Sequence, residues 1–219
     1  MLPEIKPGYL IVGNGHDLTS KIQHICNGKA LDGYYATHGC NATWSLGWFY
    51  LKSMLLSAEY NGVVHIYWDK FYNDDPTYDI WIYEMLGVPQ HSLIKSLDHC
   101  EKEFLNDKYA YLSWPWFAYA AIIRRVINPV LKFFHIKQIN IDKEHNWYFK
   151  DCFCTQQCWT LIDKASEDCI GEEFKEMRKE LMQYFPDTFQ PVQYKNLLLN
   201  HPKVFKLKFQ RVNGIEQIF

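Results

Sequence analysis

The chain has 219 residues, 48% of them apolar and 22% charged, with a formal net charge of −2. One domain is the expectation at that length, since domains run to about 100–200 residues, and the near-neutral balance excludes a nucleic-acid footprint built on basic excess and an acidic disordered tail. Aromatic residues reach 17%, with 8 Trp, 15 Tyr and 14 Phe, enough for a large core and an aromatic-lined groove.

Tyr9 to Val12 is a short apolar run between Pro7-Gly8 and Gly13-Asn14-Gly15 and reads as a buried strand. Asp17, Thr19 and Ser20 can cap a helix that carries Ile22, Ile25 and Cys26 on one face and stops at Asn27-Gly28. A loop through Asp32-Gly33 leads into the segment Tyr34 to Trp48. Met54 to Ala58 and Val63 to Tyr67 flank Asn61-Gly62, the strongest short hairpin signal. Asp79 to Met85 alternates Ile80, Ile82 and Glu84 against Trp81, Tyr83 and Met85, as a strand does.

From Ser92 the period becomes helical, with Leu93, Leu97, Cys100, Phe104 and Leu105. The aromatic stretch Tyr109 to Phe134 is expected to be helical in part and packed on the core, and Ile136 to Ile141 is a candidate strand. Phe153 to Ala165 reads as a buried helix with Cys154, Cys158, Leu161, Ile162 and Ala165 along one side. Gly171 to Tyr184 is a charged amphipathic helix ended by Pro186, and the tail holds the turn Asn200-His201-Pro202 and a strand, Val204 to Phe209. The element pattern is that of one α+β domain spanning residues 1–219.

The seven cysteines stand at 26, 40, 100, 152, 154, 158 and 169. Their odd number and the short spacings of Cys152, Cys154 and Cys158 argue against a secreted disulfide framework and for reduced thiols. No basic stretch followed by a long apolar one opens the chain, and the apolar segment Trp114 to Ile123 is too short to span a bilayer. A protein that is cytoplasmic or otherwise soluble, without a signal peptide or transmembrane segment, is expected.

A cysteine hydrolase needs a thiolate near a helix N-terminus, a histidine that reaches the sulfur, a third polar group that orients the imidazole, and backbone N–H groups for the oxyanion. Cys154 opens a helical pattern followed by Thr155-Gln156-Gln157. His38 lies in a polar turn, Tyr35-Ala36-Thr37-His38, and Glu59 stands beside the Asn61-Gly62 turn. Each has a plainer reading: a core thiol, a structural histidine, a solvated carboxylate. Cys152, Cys154 and Cys158 with His38 or Cys40 could alternatively bind zinc, although Cys-x-Cys-x₃-Cys is not a standard zinc spacing.

From residue 7 to residue 209 the chain resembles the circularly permuted NlpC/P60-like cysteine hydrolases, papain-like proteins that include the lecithin:retinol acyltransferase-like branch. Pro7-Gly8-Tyr9-Leu10-Ile11-Val12 is similar to the family's opening Pro-Gly-Asp strand, with Tyr9 in place of the acid, and Leu18-Thr19-Ser20-Lys21-Ile22 to the helix after it. Tyr35-Ala36-Thr37-His38 resembles the Tyr-Ser-His that supplies the base, and Ser57-Ala58-Glu59 the strand whose carboxylate orients it. Asn106-Asp107-Lys108-Tyr109-Ala110-Tyr111 resembles a Gly-x-x-Tyr-Asp-Tyr stretch, with Asn106 at the glycine. Phe153-Cys154-Thr155-Gln156-Gln157-Cys158 resembles the start of the nucleophile helix. The order histidine, acid, cysteine is the permuted one.

The resemblance implies an antiparallel sheet or small barrel packed against helices. It also implies a triad of Cys154 as nucleophile, His38 as base and Glu59 as orienting acid, with no cofactor and no metal. The implied activity is that of a peptidase or amidase working through a thioester on a cell-wall (peptidoglycan-like) peptide. The alternatives are a lipid acyl hydrolase or acyltransferase of the same fold, and an inactive descendant serving as a structural part.

Overall fold

The computed structural model describes residues 2–43, 53–59, 62–108, 119, 122–139, 154–186 and 189–219, with backbone alone at 124 and 125. The chain is α+β. Seven strands form one antiparallel sheet: β1 (Leu10–Asn14), β2 (His38–Thr43), β3 (Met54–Glu59), β4 (Gly62–Tyr67), β5 (Asp79–Met85), β6 (Phe205–Val212) and β7 (Ile215–Ile218), in the order β4-β3-β2-β1-β5-β6-β7. The helices among the described residues are α1 (Leu18–Asn27), α2 (Trp68–Asp74), α3 (Gln90–Phe104), a π-helical turn (Ile123–Ile127) continuing into α4 (Asn128–Phe133), α5 (Gln156–Ser166), α6 (Glu172–Leu181) and α7 (Pro191–Asn200).

Strand alternation sorts the sheet into two faces. Leu10, Val12, Leu56, Trp81 and Tyr83 point to one face and bury themselves against Leu97 and Cys100 of α3, Leu161 and Ile162 of α5, Met177 of α6 and Tyr194 of α7. Ile11, Cys40, Leu55, Ile80 and Ile82 point to the other, where Trp68 and Tyr72 of α2 and the N-terminal Ile5 cover them. The alternation expected in Asp79–Met85 is therefore the division between two cores.

Local chemistry fixes the element ends. The Asp17 carboxylate accepts Ser20 N–H at 2.6 Å as the N-cap of α1, and Gly28, at φ 75°, closes that helix with its N–H on His24 O. β3 and β4 pair tightly up to Glu59↔Gly62, the register of a two-residue hairpin. Arg211 of β6 reaches across the second core. It donates to the carbonyls of Tyr72, Asp75 and Tyr78, so α2 and the turn after it are pinned to the sheet.

Several expectations are corrected. Ile22 and Ile25 of α1 are exposed, and Ser20 is the helix's buried residue. Residues 136–139 form no strand; the rest of that candidate, and Cys152 with Phe153, lie outside the described residues. Ile123 packs into the core as expected for the aromatic stretch, but Val126, Val130 and Phe133 face outward. Helix α5 begins at Gln156, leaving Cys154 in the turn before it. Helices α2 and α7 and strand β7 are additions. In α7, buried positions run Pro191 to Lys195 and then Leu197 and Leu198, leaving no polar stripe to reveal a period; its capping box uses Gln190 and Gln193.

Candidate active site

β2 and β3 are paired only from Asn41↔Leu56 to Thr43↔Met54, while β2 continues back to His38 and β3 forward to Glu59. The two strands thus part at the end where the candidate residues stand. Gln157, wholly buried in the first turn of α5, donates its side-chain amide to Leu56 O at 2.8 Å and ties the helix to β3 at this parting. Gly39 lets the helix come close: a Cβ there would lie 2.7 Å from Thr155 Cγ2 and 3.0 Å from the Tyr194 ring. The Thr155 hydroxyl also donates to Phe189 O, holding the turn before α5 against the chain entering α7.

That turn places Cys154. The backbone N–H groups of Gly39, Thr155 and Cys154 itself favour the thiolate form of its sulfur. The nucleophile candidate therefore feels the amide of the residue directly after His38. Cys158, one turn further, is wholly buried among the first core's residues, and Cys40 belongs to the core on the opposite face.

His38 has its Nε2 2.7 Å from Ser57 Oγ, and Ser57 Oγ donates to Glu59 Oε1, also at 2.7 Å. Glu59 itself stands 3.6 Å from Nε2, too far for a good direct hydrogen bond. With its hydroxyl proton committed to Glu59, the Ser57 oxygen accepts from the ring. Nε2 then carries the imidazole proton and Nδ1 is the basic nitrogen. The structure brings His38 and Glu59 together with Ser57 between them. Ser57 was legible in principle, because residues i and i+2 of a strand share a face.

Burial sets the electrostatics. The Cys154 thiol is 1% exposed and pushed up to about 12 by burial, with neighbouring backbone amides working against the desolvation. The expected lowering by a helix N-terminus is overruled: desolvation of the thiolate outweighs the donors around it. Burial also lowers His38, and the Glu59 carboxylate opposes it. At neutral pH both the resting thiol of Cys154 and the imidazole of His38 are neutral.

A cavity of about 1100 Å³ opens beside the imidazole, walled by His38, Glu59, Thr37, Phe71, Tyr78 and His65. Tyr78, missed in the sequence, packs edge-on to Phe71 at 5.6 Å. Its ring fills the space that a side chain at Gly13 would take, 2.4 Å from the position of a Cβ there. His38 and Glu59 therefore meet the cavity, whereas the Cys154 sulfur is covered. Among the described residues no three His, Cys, Asp or Glu side chains converge as metal ligands. No family model, curated protein or solved structure matches this chain.

Proposed function

We propose that the protein is a cysteine hydrolase that cleaves an amide through a thioester, with Cys154 as nucleophile and His38 as base. The chain His38 Nε2–Ser57–Glu59 carries this reading, because it directs the basic Nδ1 lone pair away from Ser57, and the Gly39 amide next to His38 favours the Cys154 thiolate. Glu59 acts on the imidazole through Ser57. Substrate binding has to uncover the sulfur, since Cys154 is buried at rest.

In the reaction the thiol proton passes to His38 Nδ1, and the Glu59 carboxylate, relayed by Ser57, stabilises the imidazolium. The thiolate attacks the carbonyl carbon. The backbone N–H groups of Cys154 and Thr155, which favour negative charge at the sulfur, stabilise the oxyanion. The imidazolium gives its proton to the departing amine as the C–N bond breaks, leaving a thioester. His38 then takes a proton from water, hydroxide equivalent adds to the thioester, and the thiol is regenerated with release of the acid.

The test is trapping of the intermediate. Protein incubated with p-nitrophenyl acetate at neutral pH should gain one acetyl group by intact mass. The adduct should map to Cys154, be released by hydroxylamine, and be missing in Cys154→Ala and in His38→Asn. Acetylation of another cysteine, or an unchanged adduct in His38→Asn, would overturn the assignment. The covered sulfur favours a second reading, an inactive descendant retained as a structural part; failure to acylate at Cys154 under any of these conditions would select it.

A further inference from the structure

The π-helical turn and α4 form one continuous helical stretch with a wide apolar arc. Ile123 is buried in the first core, with Ile127 packed against it. Adjoining that buried edge, Ile122, Val126, Val130 and Phe133 follow one another at intervals of four, four and three residues, all exposed. An apolar arc this wide suits a helix that is covered over most of it, and here part of the arc is bare.

The end of this helix is built as a rigid tip. Phe134 N–H bonds Val130 O and Ile136 N–H bonds Leu131 O, while His135 takes the left-handed conformation at φ 56° and turns the chain. The returning strand of chain is fastened back by Asn128, which both donates to Ile139 O at 2.9 Å and accepts Ile139 N–H at 2.8 Å. At the tip Phe133 and Phe134 meet edge to face at 5.2 Å and are 78% and 63% exposed, with Ile136 exposed next to them. Two phenylalanines and an isoleucine are thus held in water by a hydrogen-bonded scaffold.

Charge identifies the occupant. From Lys108 to Ile141 the sequence has five cations, Lys108, Arg124, Arg125, Lys132 and Lys137, and no carboxylate. The chain's net charge of −2 divides into +5 over this segment and −7 over the rest. Lys132 and Lys137 are exposed on either side of the phenylalanine tip. A second copy of the chain would set cations against cations across a two-fold contact. An anionic bilayer surface takes both features, since aromatic and aliphatic side chains enter the interface while lysines meet lipid phosphates and carboxylates. No helix among the described residues is long and apolar enough to cross a membrane, which leaves the surface rather than the interior as the place of contact.

We infer that the Ile122–Ile136 face docks the protein on an anionic lipid surface, with the Phe133-Phe134 tip inserted and Lys132 and Lys137 on the headgroups. This is independent of the proposed hydrolase chemistry.

The full chain should co-sediment with vesicles of phosphatidylcholine containing about 30% phosphatidylserine and bind pure phosphatidylcholine vesicles at least about tenfold more weakly. Salt at about 0.5 M should remove most of the preference. Phe133→Ser with Phe134→Ser, and separately Lys132→Glu with Lys137→Glu, should each weaken binding about tenfold or more while leaving the melting temperature unchanged, because these side chains are exposed. No binding to the anionic vesicles, or binding that neither pair alters, overturns the inference. So does a dimer in solution that the phenylalanine pair dissociates, which would assign the face to a second copy. The salt and composition arms decide the matter on the unaltered chain even if a variant misfolds.

Discussion

His38 Nε2 lies 2.7 Å from Ser57 Oγ, and the same hydroxyl reaches Glu59 at 2.7 Å. A serine standing between a histidine and its carboxylate fixes the tautomer as well as a direct contact would, because the hydroxyl both donates and accepts. Ser57→Ala removes both hydrogen bonds and leaves the ring free to turn. The rate of Cys154 acylation should fall about tenfold to a hundredfold, less than the loss expected on removing a general base itself. The melting temperature should change little. An unchanged acylation rate would show that the imidazole is held by packing alone.

Glu59 opposes the lowering of the His38 pKa by burial. Glu59→Gln keeps the shape and removes the charge, so the pKa of His38 should fall further below its ordinary 6.5. The base works in its neutral form, so activity is lost as pH falls through that pKa. The acid limb of the acylation profile should therefore move to lower pH in the variant, while the plateau rate drops because the imidazolium formed in the reaction loses its stabilising charge. A limb that stays in place would mean that Glu59 acts only as a solvated carboxylate.

The thiols of Cys154 and Cys100 are both held up at about 12 by burial, against an ordinary 9.0. A folded-state pKa raised in this way adds stability that is fully present below the unfolded value and disappears as pH rises through the folded one. Thermal stability should thus decline from about pH 9 upward. Alkylation of Cys154 by iodoacetamide should keep accelerating beyond pH 9 instead of reaching a plateau there. A plateau near neutral pH would instead indicate a thiolate already paired with His38.

Gly39 has Thr155 and Tyr194 against it where a Cβ would be. Gly39→Ala should push the turn before α5, and Cys154 with it, away from β2. Stability should fall by about 1–3 kcal/mol from overpacking, and acylation of Cys154 should fall with it. Normal stability and full reactivity together would show that the helix can slide without cost.

Lys195 is completely buried in α7, 2.9 Å from Asp32 and with its ammonium 3.1 Å from the centre of the Trp81 ring; burial brings it down to about 8. The pair ties the loop ahead of β2 to α7. Asp32→Asn would leave the ammonium with the Trp81 and Tyr34 rings and should cost about 3 kcal/mol near pH 7, at the low end for a broken buried pair because Asp32 is partly exposed. Near about pH 9.5 Lys195 is neutral in both proteins, so the difference in melting temperature should shrink. A pH-independent difference would point to lost packing instead of lost charge.

Much of the frame is written locally. Asp17 and Gly28 bound α1, the alternation of Ile80 and Ile82 against Trp81 and Tyr83 describes β5 and its two buried faces, and the spacing of Leu97, Cys100 and Phe104 describes α3. These signals are short-range, set by capping and by the periods of helix and strand, and so can be read along the chain. Helix α7 was hidden because it is buried around most of its circumference, and the outward face of Ile122–Phe133 because apolar residues look the same whether covered or bare. The site depended on contacts across the sheet. Ser57 comes between His38 and Glu59 only because β2 and β3 part after Asn41↔Leu56, and Thr155, next to Cys154, packs on Gly39 only because a glycine there admits the turn before α5. The thiol's ionisation was decided by the same packing. A cysteine before a helix suggests a low pKa from sequence, but desolvation is a property of everything folded around the sulfur, and here it outweighs the helix.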